Sequence, residues 1–190
     1  MWLSTMDKTQ NGAMKKCFVF IGFLIIFFSN CQNTTHTATD NIEMVKSDIQ
    51  KALDDCVKAV LTKDIDLYMK GIPEDFILKD ESGEVISREK QRGYALRDWS
   101  IIDTTLKNIY KVDSLKVFFQ RSPSEKDSAI VYTNQNWIRL MFRRDGMTKD
   151  TVLTTQRHKE IWKRNKSGWQ NYEIEELGGD IFINGQLYKR

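Results

Sequence analysis

The chain lacks a long apolar run: its longest, Cys17 to Phe28, is twelve residues broken only by Gly22. At about 1.5 Å per residue that covers roughly 18 Å of helix, short of the roughly 30 Å bilayer core, which argues against a permanent membrane span. An excess of either charge is also missing. The first thirty residues hold Lys8, Lys15, Lys16 and Asp7, which leaves 26 basic and 25 acidic residues in the rest. So even a balance argues against nucleic acid as a partner, because that usually requires a clustered basic face. The pairs Arg143-Arg144 and Lys163-Arg164 are short and flank turn signals, as solvated strand ends do. No Gly-rich phosphate loop, Cys-x-x-Cys pair, Ser-centred elbow or His-x-x-x-His motif occurs. Metal catalysis and serine hydrolysis therefore have no sequence support, and no metal or other cofactor is implied.

What is present begins with Met14 to Cys31, MKKCFVFIGFLIIFFSNC. Two lysines precede a short apolar core, and small or polar residues follow it, which is the order of a secretory signal. The end, Phe28-Ser29-Asn30-Cys31, resembles the lipobox of bacterial lipoproteins. That resemblance implies cleavage before Cys31 and acylation of its sulfur and new amino group, so the membrane partner is a lipid anchor. Phe28 and Asn30 depart from the strict Leu and Gly/Ala pattern. Gln32, rather than Asp, after the cysteine leans toward the outer membrane of the cell envelope if the cell has one. Residues 1–13 are polar and read as a mis-assigned start, 14–30 as the signal peptide, and 31–41 as a Thr-rich tether. Residues 42–190 are then one domain. Cys17 would leave with the signal and Cys31 would carry lipid, so Cys56 alone remains and no internal disulfide can form.

From Ile42 apolar residues recur at three and four: Val45, Ile49, Leu53, Cys56, Val57 and Val60 predict a helix. A short helix from Asp64 to Lys70 follows, then a strand at Phe76-Ile77-Leu78 and a turn at Asp80 to Gly83. Ser87 is placed to cap a third helix, about Arg88 to Ile102. Beyond it the period becomes two. Leu106, Asn108, Tyr110 and Val112 alternate, and Leu115, Val117 and Phe119 alternate again. Strands are expected at Ala129–Arg143, Thr151–Lys163 and Trp169–Leu177, with RSPSEKD as a loop. Asp145-Gly146, Asn165–Gly168 and Asn184-Gly185 are turns, and Gly178-Gly179-Asp180 separates a short Ile181–Ile183 segment. This order predicts an α+β domain, helices on one face of a curved sheet.

Three pieces carry a further resemblance: LTKDIDLYMKGIPEDFILKD, DESGEVISREK and HKEIWKRNKSGWQNYEIEEL. Together they resemble the nuclear transport factor 2-like (NTF2-like) superfamily, with its ketosteroid isomerases, SnoaL-like cyclases and dehydratases, over about Ile42 to Leu177. The resemblance implies a cone of three N-terminal helices packed on a curved antiparallel sheet, with a cavity between them. It also implies that homodimers through the open sheet face are common. Laid over the isomerase pattern, Asp80 falls at the proton-abstracting carboxylate. Cys56 and His158 fall where a tyrosine and a protonated carboxylate would form the oxyanion hole. A thiol is a poor donor, so that hole is not reproduced. Asp80 and His158 remain candidates for proton transfer, and Cys56, Trp99, Trp137 and His158 for lining a pocket. The leading expectation is a non-catalytic, lipid-anchored protein binding a small apolar ligand or an envelope protein. The rival is an isomerase, dehydratase or cyclase using Asp80 and His158.

Overall fold

The computed structural model describes residues 38–120 and 126–188. The signal, Cys31, most of the tether and part of the RSPSEKD loop lie outside them. The elements are α1 (Ala38–Thr62), α2 (Ile65–Lys70), β1 (Ile77–Lys79), β2 (Val85–Ser87), α3 (Arg88–Ile101), β3 (Ile102–Phe118), β4 (Ser128–Phe142), β5 (Lys149–Asn165), β6 (Gly168–Ile183) and β7 (Gln186–Leu187). The first turn of α1 takes in residues 38–41, the end of the segment expected to be tether. No described helix is long and apolar enough to cross a membrane.

Local signals set the helix ends. Lys63 adopts a left-handed φ of 53° after α1, and Asp64 accepts from the Leu67 amide at 2.9 Å to cap α2. Ser87 caps α3 as its sequence predicts. The apolar stripe of α1 packs Val45, Ile49 and Leu53 onto Tyr110, Ala129, Val131, Trp162 and Trp169 of the sheet, forming the main core. Gln50 fastens the same helix to β3. Its side chain donates to the Tyr110 carbonyl and accepts from the Val112 amide, both at 2.9 Å.

The seven strands run in the order β2-β1-β6-β5-β4-β3, with β7 added to β6. The expectation of a wholly antiparallel sheet needs one correction. β1 pairs with β6 in parallel, Leu78 opposite Ile174, because the chain enters β1 from the helices and not through a hairpin with β6. β3 is a single strand, and the break in its alternation is a register shift between Val112 and Ser114.

β6 continues through Gly178-Gly179-Asp180, where a break was expected. Gly178 takes a φ of 111°, which favours glycine, and Gly179 allows a close approach. A Cβ on Gly179 would lie 1.9 Å from the Thr155 carbonyl oxygen. Gly179→Ala is therefore expected to force β5 and β6 apart and destabilise the domain by about 1–3 kcal/mol or more. Urea denaturation would read this directly, and an unchanged midpoint would contradict the close packing.

Candidate functional site

The alternation of β5 turns Gln156, His158, Glu160 and Trp162 toward the helices, and Thr155, Arg157, Lys159 and Ile161 to the outer face. Glu160 is 0% exposed. A carboxyl in that position needs partners, because burying one without them is costly. It has four. Oε1 accepts from the Tyr110 hydroxyl at 2.5 Å and the Thr133 hydroxyl at 2.6 Å. Oε2 accepts from Trp162 Nε1 at 2.7 Å and Asn171 Nδ2 at 2.9 Å. Burial still outweighs these donors, and the Glu160 carboxyl is held above the usual range.

His158 is 5% exposed. Its Nδ1 lies 3.3 Å from the Tyr110 hydroxyl and 3.4 Å from that of Thr133. Burial lowers its pKa to about 4, so the ring is neutral near pH 7. Tyr110 is pushed well above its ordinary value by burial, then by the charge and hydrogen bond of Glu160. Trp162 and Asn171 can only donate at Oε2 through N–H groups, whereas the two hydroxyls at Oε1 can donate or accept. A proton on Glu160 therefore belongs on Oε1, pointing at a hydroxyl that can pass its own hydrogen toward His158 Nδ1.

The residues singled out in the sequence are placed as follows. Asp80 sits in the turn after β1. Its Oδ1 accepts from the Ser82 hydroxyl at 2.7 Å and from the amides of Ser82 and Glu84 at 2.9 and 2.8 Å. The Ser82 hydroxyl, with those amides, holds its carboxyl below the usual range. The structure does not bring Asp80 to His158. Asp80's bonds serve its own turn, those of His158 go to Tyr110 and Thr133, and β6 runs between their two strands. Cys56 is half-buried on α1 with its sulfur enclosed, and burial followed by the charge of Glu160 raises its pKa to about 12. Trp99 is buried edge-on to Tyr68, with ring centroids 5.6 Å apart. Trp137 is half-buried under the Arg139 guanidinium at 4.1 Å and donates to Thr105 at 3.3 Å. Among the described residues no group of His, Cys, Asp or Glu is placed to hold a metal ion.

A tyrosine and a carboxyl do meet in the interior, but they are Tyr110 and Glu160, not the residues at 56 and 158. Sequence reasoning missed Glu160. The signal was there: it lies two residues before Trp162 and two after His158 on the face that α1 covers.

The four long strands, the β1–β2 hairpin and three helices in this order make the NTF2-like fold. The chain is similar to a conserved protein from Planctomyces limnophilus, at 10% identity and a TM-score of 0.54, covering 74% of this chain and 98% of that one. It is also similar to a protein of unknown function from Mycobacterium tuberculosis, at 13% identity and a TM-score of 0.53, covering 75% and 76%. An NTF2-like protein from Cytophaga hutchinsonii aligns at 13% identity and a TM-score of 0.49 over 67% and 93%. At such identities the likeness is one of fold. No protein-family model matches the sequence, and no curated protein matches it.

Proposed function

We propose that this chain is a lipid-anchored cell-envelope protein whose NTF2-like domain works by binding rather than by catalysis. One observation carries the non-catalytic part. The interior acid is fully engaged: every donor on Glu160 comes from the protein, and the Tyr110 hydroxyl is spent on that carboxyl. Around it, Leu53, Val131, Trp162 and Trp169 pack as core. The interior is thus built as a structural centre, and binding falls to the surface. The rival reading needs Asp80 and His158 at one substrate atom, and their hydrogen bonds run elsewhere.

The anchor rests on the lipobox-like Phe28–Cys31 and its preceding apolar run. Intact mass of the protein from its native membrane, beside a Cys31→Ala variant, tests it. The expected result is a chain beginning at Cys31 that carries acyl mass, which the variant loses. An unmodified chain would overturn the anchor, and cleavage elsewhere would leave a soluble exported domain.

A further inference from the structure

The outer face of the sheet carries a pattern that neither the core nor the Glu160 network uses. Strand register lines up Asn136, Thr155 and Asp180 in one row and Asn134, Arg157 and Gly178 in the next. Tyr132, Lys159 and Glu175 follow in the third, where the last two are joined as an ion pair at 2.9 Å. Along the strands this polar stripe is bounded by Ile138, Leu153 and Phe182 on one side and by Ile130 and Ile161 on the other. The centre of a protein–protein interface is normally its apolar, charge-poor part, and here the centre is the polar part. Two adjoining grooves of about 590 and 360 Å³ follow the stripe and share Asn134 and Arg157.

The stripe has free bonding capacity. Among the described residues the side chains of Asn134, Asn136 and Arg157 form no hydrogen bond or ion pair. Gly178 leaves the place beside Arg157 without a side chain, and Leu177 falls in the register shift between Glu176 and Gly178. Tyr132, 42% exposed, closes one end with a flat ring.

The chemistry of this set is specific. Amides both donate and accept, the guanidinium only donates, an ionised carboxylate only accepts, and a threonine hydroxyl does either. Such a mixture matches neighbouring hydroxyl groups, each of which donates and accepts. An exposed aromatic ring matches the C–H face of a pyranose. Across the two linings Arg157 stands against Asp113 and Asp180, which leaves no net positive charge to select an anion. An extended peptide would instead need a free strand edge, and this stripe crosses the strands on the sheet face.

We infer that the outer face of the sheet binds a neutral oligosaccharide along the groove from Tyr132 to Asp180. This deepens the binding reading above and rests on it. The test uses the full-length chain in a detergent without a sugar head group, titrated by calorimetry with maltohexaose, cellohexaose and chitohexaose. Saturable binding of at least one probe is expected, weakened about tenfold or more by Tyr132→Ala and by Asn134→Ala. Both changes are at the surface, and unchanged melting would confirm that fold is kept. No saturable binding at millimolar probe, or equal binding by both variants, overturns the site. So does a wild-type dimer that Asn136→Arg splits into monomers, because a second copy then covers the groove. Intact mass on the same preparation separates the two failures: acylated Cys31 without probe binding overturns the saccharide site alone. Cleavage of a bound probe would support the site and end the non-catalytic reading.

Discussion

Glu160→Ala is expected to destabilise the domain by about 3–5 kcal/mol, enough to unfold many single domains. The loss is not that of one favourable contact. Truncation strands the hydroxyls of Tyr110 and Thr133 and the N–H groups of Trp162 and Asn171 in a site closed to water. Each orphaned buried donor costs about 1–3 kcal/mol before any relaxation. Glu160→Gln separates polarity from charge. Its carbonyl can take the Oε2 place and accept from Trp162 and Asn171. Its amide can take the Oε1 place and donate to the two hydroxyls, which are free to accept. The glutamine variant should stay folded, within about 2 kcal/mol of the parent. Urea denaturation of both variants reads the contrast. If alanine cost as little as glutamine, the acid would not be structural, and an interior chemical role would return.

That contrast bears on what a single sequence discloses. The helices were legible because α1 must present one apolar stripe and because α2 and α3 begin at Asp64 and Ser87, residues whose side chains accept from nearby amides. The shift in alternation between Val112 and Leu115 was legible as well, and it is the register shift in β3. Gly178-Gly179 misled. Glycine usually marks a break, and only the 1.9 Å approach of the Thr155 carbonyl shows why a strand needs one there. Glu160 was hidden for a related reason. Periodicity places a residue on a face, but whether a buried charge is satisfied depends on partners 11, 27 and 50 residues away. Asp80 shows the converse. Its role in the Asp-Glu-Ser-Gly turn follows from four adjacent residues, while its assignment to chemistry depended on alignment with other proteins. The outer stripe needed register across three strands, so no window of sequence contains it.

The second large effect is in pH. Burial lowers the His158 pKa from 6.5 to about 4. In the unfolded chain the imidazole takes up a proton as pH falls through about 6.5, while in the folded domain it stays neutral until about pH 4. The neutral ring's contribution is therefore fully present above pH 6.5 and is lost progressively as pH falls to about 4, by roughly 3 kcal/mol in all. Glu160 works in the opposite sense. Its carboxyl is raised, so its contribution is greatest at low pH and declines as pH climbs from the ordinary carboxylate range to its own pKa. In the wild type the two slopes partly cancel in mildly acidic solution, and substitution exposes each. His158→Asn should lose the fall in stability between pH 6.5 and 4, leaving a domain relatively more stable in acid. Glu160→Gln should steepen that fall by removing the opposing term. Urea midpoints across this range, with the His158 ring followed by NMR, check both. A ring that titrates near 6.5 would mean that water reaches it, and the interior would then be open to a ligand rather than closed around Glu160.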